Sequence, residues 1–284
     1  MEKNMQAEKL FGVIGDPVGH SLSPVMHNDQ FAFQELPYYY HAFLVKPGEL
    51  KEAVNGLKAL HVSGFNVTVP HKIEVMNYLD SIDEEARMIG AVNTVVKEEN
   101  GWIGYNTDGK GYVESLLTKA GETLENSSIL VIGAGGAARA VISELARRGV
   151  RQLTVTNRTS AKAEALKERV SERADIRAVP TPEAEKDTPS FDIIINTTSV
   201  GMSPHVDNIP WRTDHLKPGC ICSDLIYNPL KTAWLQEAER AGAQVLNGVG
   251  MFVGQGAFAF QKWTGIWPDV DRMHAVVMHH LGGN

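Results

Sequence analysis

An apolar run, Ile129-Leu130-Val131-Ile132, leads directly into Gly133-Ala134-Gly135-Gly136-Ala137-Ala138, and an alanine-rich helical pattern follows to Arg148. No other stretch restricts the fold as much. A strand that enters a helix through two closely spaced glycines belongs to a βαβ unit: Gly133 permits the tight turn, Gly135 lets the backbone approach a pyrophosphate, and Ala138 is the small third residue. The start of the following helix offers N–H donors and a favourable dipole for phosphate. A packing turn is the alternative, and the strand–turn–helix setting disfavours it. Past this point the pattern is regular. Strands are expected at Leu153–Thr156, Phe191–Asn196, Cys220–Leu225 and Gln244–Leu246, with helices at Ala137–Arg148, Ser160–Arg173 and Thr232–Ala241.

The end of the second strand decides which dinucleotide suits such a unit. An acid there would hold a ribose 2′-hydroxyl. Here Leu153-Thr154-Val155-Thr156 is followed by Asn157-Arg158-Thr159, with Lys162 beyond. A guanidinium can hold a 2′-phosphate with two parallel hydrogen bonds, so the turn favours NADP over NAD. The later strand end, Asn196-Thr197-Thr198-Ser199-Val200-Gly201-Met202, is expected along the nicotinamide half.

The first third of the chain is also α/β, with expected strands at Phe11–Ile14, Tyr38–Val45, Gly64–Val69, Ala91–Val96 and Trp102–Tyr105. Helices are expected at Ser23–Gln34, Glu49–Leu60, Ile73–Leu79, Glu84–Ile89 and Gly109–Lys119. Glu99-Asn100-Gly101 reads as a hairpin turn. Ser23-Pro24 opens its helix with serine in the capping position and proline at the first helical one. The polar run after Gly121 reads as a crossing between domains, and helices are expected at Met251–Phe260 and Asp269–Leu281. At 284 residues a chain commonly divides into two cores. The expected division is 1–108 with 248–284 against 109–247, the terminal helices returning to the first domain.

Twenty-seven basic against 34 acidic residues give a net charge of −7. That balance argues against a nucleic-acid surface and requires any anion site to be built locally. The polar start and the lack of a long apolar run imply no membrane and a cytoplasmic protein. Cys220 and Cys222 have no companion pair of ligand spacing, so they read as small buried hydrophobes, and no metal site is expected.

Two short segments carry the chemistry of the first domain. Asn66-Val67-Thr68-Val69-Pro70-His71-Lys72 places a lysine just past a strand, and Asn106-Thr107-Asp108-Gly109 places an aspartate at a helix mouth. Read alone, the lysine is a solvated cation and the aspartate a cap. Ser21-Leu22-Ser23-Pro24 sets two hydroxyls at a helix start, where a carboxylate can be held without a formal positive charge.

Taken with Gly90-Ala91-Val92-Asn93-Thr94 and Gly248-Val249-Gly250-Met251-Phe252-Val253-Gly254-Gln255, these motifs resemble the shikimate dehydrogenase family in order and over nearly the whole chain. The resemblance implies an N-terminal α/β substrate domain, a Rossmann-type NADP-binding domain and NADPH-dependent reduction of 3-dehydroshikimate in aromatic amino-acid biosynthesis. It implies Lys72 and Asp108 as the catalytic pair. Ser21 and Ser23, with Tyr227, would hold the substrate carboxylate, and Thr68, Asn93 and Gln255 its ring hydroxyls. Gly133, Ala134, Gly135, Gly136, Ala137, Asn157, Arg158, Thr159, Lys162, Leu225 and Gly248 would line the cofactor, with Glu84 a weaker candidate. The expected partner is a small molecule alone, in a monomer or homodimer. Two rivals share these features, a quinate/shikimate dehydrogenase using NAD and a non-catalytic NADP-binding sensor. The acid-free turn disfavours the first, and the presence of Lys72 and Asp108 the second.

Overall fold

A computed structural model describes residues 8–170 and 175–282. The chain forms two compact units, Met1–Thr107 with Gln255–Asn284, and Asp108–Gly254. Most of the polar N-terminal stretch and the last residues of the helix expected to Arg173 lie outside the described residues.

The first unit runs β1 (Lys9–Gly15), α1 (Ser23–Phe33), β2 (Tyr38–Leu44), α2 (Leu50–Ala59), β3 (Gly64–Val67), β4 (Ser81–Ile82), α3 (Glu84–Ile89), β5 (Thr94–Glu98) and β6 (Gly101–Tyr105). Its sheet has the order β2-β1-β3-β5-β6-β4. β1 is parallel to β2 and β3, while β5 pairs antiparallel with both β3 and β6. The hairpin forms where expected, with Glu98 opposite Gly101. Ile14, Phe65, Val67 and Val95 join Leu50, Val54 and Leu57 of α2 in one apolar cluster. β3 ends at Val67, two residues early, and Glu74–Tyr78 is a 3-10 helix in place of the expected α-helix.

The second unit continues with α4 (Asp108–Ala120), β7 (Ser128–Ile132), α5 (Gly136–Arg147), β8 (Gln152–Thr156), α6 (Ser160–Val170), β9 (Ile176–Ala178), α7 (Thr181–Lys186), β10 (Ile193–Asn196), β11 (Ile221–Asp224), α8 (Ala233–Arg240) and β12 (Gln244–Leu246). All strand pairs are parallel, in the order β12-β11-β10-β7-β8-β9. This is the 6-5-4-1-2-3 arrangement of a doubly wound dinucleotide fold, with its switch point between β7 and β10. Alternate residues serve opposite faces of the sheet. Ile129, Val131, Ile193 and Ile195 pack with α4, α5 and α6, whereas Leu130, Ile132 and Ile194 pack with Phe191 and Trp234. Cys220 and Cys222 are buried in that second cluster, free of a disulfide.

The polar run after Gly121 corrects one expectation. It is a 3-10 turn, Gly121–Asn126, inside the second unit, and the chain passes between units at Thr107 instead. Helix α9 (Val249–Thr264) carries the chain back at Gly254, and α10 (Val270–His280) follows. In the first unit Trp263 of α9 donates its indole N–H to the Val95 carbonyl at 3.0 Å. Gly64 makes room for it: a Cβ there would stand 2.5 Å from the indole nitrogen. Arg272 of α10 holds Asp29 of α1 at 2.8 Å, so the terminal helices are tied to the first sheet and helix. No helix among the described residues is long and apolar enough to cross a membrane.

Candidate active site

In the first unit, the loop between β1 and α1 carries Ser21 and Ser23. The structure reverses their expected roles. Leu22 occupies the N-cap position and makes no side-chain cap bond, while Ser23 is the first helical residue. Ser21 Oγ accepts the Ser23 backbone N–H at 3.3 Å, so the capping bond comes from Ser21. Proline at the second helical position has no N–H to satisfy, which leaves Ser23 N–H as the nearest donor for a short side chain. Ser23 itself is buried.

Thr68 follows β3, its N–H bonded to Ile14 O at 2.9 Å and its carbonyl accepting from His71 N–H at 2.9 Å. Gly15 permits this approach, since a Cβ there would lie 2.3 Å from Thr68 Cγ2. His71 is buried with its ring nitrogen 2.7 Å from Val45 O, and the Lys72 carbonyl accepts Val92 N–H at 2.8 Å. The backbone of Lys72 is thereby fastened to the segment that ends in Asn93, while its side chain is partly exposed.

Asn93 is held on every side. Its Oδ1 accepts Thr107 N–H at 2.8 Å and the Thr94 hydroxyl at 2.9 Å. Its Nδ2 donates to Thr107 Oγ1 at 3.0 Å and reaches Gln255 Oε1 at 3.5 Å. Thr107 in turn donates to the Gln255 carbonyl at 3.0 Å. Two of the expected substrate residues, Asn93 and Gln255, therefore stand together in the first unit although 162 positions separate them. Asp108 is the first residue of α4, where a carboxylate suits the helix dipole, and it is buried.

The second unit gathers the expected cofactor residues at the carboxyl ends of its strands. Gly133 has a φ of +115°, and a Cβ on it would meet Thr197 Oγ1 at 2.4 Å, so only glycine fits this turn. Thr197 also donates to Ile132 O at 2.8 Å, which brings the β10 end beside the glycine turn. Gly135 caps α5 with no side-chain bond, and open space lies where its Cβ would be. No side chain therefore caps the first N–H groups of α5. Asn157 folds the next turn by donating to Thr159 O at 3.0 Å, and Arg158, Thr159 and Lys162 are exposed around it. This donor set, with no acid in the turn, fits a dinucleotide that carries a 2′-phosphate.

Leu225 and Gly248 also meet. A Cβ on Gly248 would lie 2.0 Å from Leu225 O, and Gly248 N–H donates to Ile226 O at 3.0 Å. The Tyr227 ring packs against Phe252 at 4.8 Å, and burial raises its phenol pKa. Glu84 is exposed at the start of α3 in the first unit, whereas the glycine turn belongs to the second. Tyr40, Asn66, Thr94 and Thr107 were given no role on sequence grounds. Of these, the last three lie inside the motifs already quoted, and Tyr40 has no local signal at all. No cluster of three or more metal-ligating side chains occurs among the described residues.

A doubly wound six-stranded sheet with a glycine turn at its switch point, joined to a second α/β unit rich in hydrogen-bonding side chains, defines a dinucleotide-dependent dehydrogenase. Residues 13–95 match the shikimate dehydrogenase substrate binding domain, residues 115–206 the shikimate / quinate 5-dehydrogenase family, and residues 248–278 the shikimate 5′-dehydrogenase C-terminal domain. The shikimate dehydrogenase (NADP(+)) of Bacillus thuringiensis subsp. konkukian is 51% identical over 276 residues, 97% of this chain and 100% of that one. A crystal structure of a shikimate dehydrogenase in complex with NADP+ superposes with a TM-score of 0.89 at 43% identity, covering 96% of each chain. The Thermus thermophilus enzyme in complex with NADP(H) and shikimate gives 0.87 at 35%, over 95% of this chain and 99% of that one. The protein belongs to the shikimate dehydrogenase family.

Proposed function

We propose that this protein is an NADP-dependent shikimate dehydrogenase that reversibly reduces 3-dehydroshikimate to shikimate, a step toward aromatic amino acids. Family membership supports the reaction class. Among structural features, the observation that carries the cofactor choice is the β8–α6 turn, Asn157-Arg158-Thr159, which presents a guanidinium where an NAD enzyme presents an acid. The bound nicotinamide supplies or takes the hydride. Everything else falls to the chain's own residues.

Lys72 gives a proton to the substrate carbonyl oxygen in the reductive direction and accepts it in reverse, and Asp108 keeps the ammonium aligned. Ser21 and Ser23, together with Tyr227, receive the carboxylate, while Thr68, Asn93 and Gln255 hold the ring hydroxyls. Asn93 is suited to that work because Thr94 and Thr107 fix its amide, so it loses little rotamer freedom on binding. Gly133 to Ala137, Leu225 and Gly248 line the dinucleotide, with Asn157, Arg158, Thr159 and Lys162 at its 2′-phosphate. Glu84 is the weaker candidate for the cofactor. The protein acts on small molecules, and we assign it to the cytoplasm as a monomer or homodimer.

The test is loss of reduced-nicotinamide absorbance with 3-dehydroshikimate, comparing NADPH with NADH and 3-dehydroshikimate with 3-dehydroquinate. Turnover with NADPH and 3-dehydroshikimate far above the other combinations is expected. Equal use of NADH would move the quinate/shikimate reading ahead, and nucleotide binding without turnover on either ketone would favour a sensor.

A further inference from the structure

Beneath the candidate substrate residues of the first unit lies a buried polar chain whose hydrogen bonds run in one direction, Thr94 Oγ1 lying nearer Asn93 Oδ1 at 2.9 Å than Thr107 Oγ1 at 3.2 Å. Its polarity is set by backbone groups. The Asn93 carbonyl can only accept, and an Asn66 side-chain atom lies 3.0 Å from it, so that atom is Nδ2. The same Nδ2 is 3.1 Å from Thr94 Oγ1, which must therefore accept there. The Thr94 proton is then free to go to Asn93 Oδ1 at 2.9 Å, and the identity of that oxygen is fixed by the Thr107 N–H it accepts. At the other side of Asn66, Oδ1 faces the Tyr40 phenol at 2.7 Å, and an amide oxygen cannot donate. Tyr40 must donate to it.

The chain thus reads Tyr40 to Asn66 to Thr94 to Asn93, with one proton passed forward at each link. Tyr40, Asn66 and Thr94 are all buried, Thr94 at 0% exposure. Every polar side-chain atom of Asn66 and Thr94 is used within this chain or by Thr107. A buried network satisfied in a single sense holds its members in one arrangement, because reversing one link leaves two donors or two acceptors facing each other.

We propose that Tyr40, Asn66 and Thr94 are positioning residues of the substrate site, whose hydrogen bonds hold the Asn93 amide in the orientation that receives the ring hydroxyls. The proposal rests on the substrate role of Asn93 given above.

The experiment is steady-state kinetics with shikimate and NADP+ on the full-length wild type, Thr94→Val, Thr94→Ser, Tyr40→Phe and the Tyr40→Phe/Thr94→Val double variant. Thr94→Val keeps the shape and removes the link. It should raise the KM for shikimate about tenfold, the scale of one lost hydrogen bond, and leave the KM for NADP+ within about twofold. Thr94→Ser keeps the hydroxyl and should restore most of the affinity. Tyr40→Phe should raise the shikimate KM several-fold. Cutting one relay twice should cost little more than cutting it once, so the double variant is expected within about twofold of the worse single one, whereas independent sites would multiply. An unchanged shikimate KM in Thr94→Val, a multiplicative double variant, or a KM for NADP+ that rises in step would each overturn the relay. Should Thr94→Val fail to fold, Tyr40→Phe carries the same test alone, an unchanged shikimate KM again counting against the relay. A wild type that does not oxidise shikimate would instead remove the functional reading, and the relay's substrate role with it.

Discussion

His27 lies one helical turn after Ser23, wholly buried, and both of its ring nitrogens lack a hydrogen-bond partner. It stacks on Tyr40 at 4.6 Å and meets Trp263 edge-on at 5.3 Å. Burial alone drives its pKa from 6.5 to about 3, because an imidazolium in this aromatic surround would have no water and no counter-charge. The folded pKa is depressed, so the unfolded chain takes up the proton first. Stability is unaffected above pH 6.5 and is lost as pH falls from there toward 3. Between pH 7.5 and 5.0 the loss amounts to about 2 kcal/mol, from 1.36 kcal/mol per unit applied to the protonation of the unfolded imidazole.

Asp224 of the second unit opposes this trend. Desolvation raises its carboxyl to about 6 despite bonds from Ile226 N–H, Thr232 and Asn196. Its folded pKa lies above the unfolded one, so a penalty present at neutral pH is relieved on acidification, by about 1.4 kcal/mol over the same interval. The parent protein can therefore look almost indifferent to pH. His27→Phe exposes the effect, since phenylalanine keeps the stack and removes the titration. Urea unfolding of parent and variant, followed by tryptophan fluorescence at pH 7.5 and 5.0, should show the variant gaining about 2 kcal/mol relative to the parent on acidification. Asp224 cancels in that difference, whether or not the two units unfold together. Parallel pH dependences for the two proteins would refute the reasoning and place a partner or water at the imidazole.

Three further outcomes are expected. Lys72→Ala should lower kcat by about 10²–10⁴-fold with NADPH affinity, measured by fluorescence titration, nearly unchanged. Arg158→Ala should raise the KM for NADPH while leaving that for NADH and the turnover number close to the parent, because the 2′-phosphate is remote from the reacting carbon. Ser21→Ala should lower stability in urea by about 1 kcal/mol through the lost acceptor for Ser23 N–H, and Ser23→Ala should not reproduce this capping loss.

The second unit was the more legible of the two. Its glycine turn, its buried parallel strands and the acid-free turn after β8 are local statements, each readable within a few residues. The elements missed there, β9 and α7, are three and six residues long, too short for periodicity to declare them. The misplaced crossing has a similar cause. Polar composition marked Gly121–Asn126 as a linker, whereas the chain in fact changes unit at Thr107, a residue buried by bonds to Asn93 and Gln255. Burial of that kind depends on residues far away in sequence and leaves no compositional trace.

The serines of the β1–α1 loop sharpen the same point. Serine before proline is a sound capping signal, yet one residue of shift in the helix start transfers the cap to Ser21 and turns Ser23 inward. In the same unit the direction of the Tyr40 proton follows from an amide, Asn66, that pairs with the carbonyl of Asn93. The buried polar chain beneath the candidate substrate residues is built from neutral groups, Tyr, Asn and Thr. Such groups can satisfy one another when no ligand is present, whereas a buried arginine at the carboxylate end would stand as an unpaired charge in the empty protein. A neutral floor also suits a chain of net charge −7, in which attraction of anions has to come from local donors. On the proposed assignment, recognition by hydroxyls and amides is a matter of donors oriented in advance, and for Asn93 the hydrogen bonds of Tyr40, Asn66 and Thr94 supply that orientation.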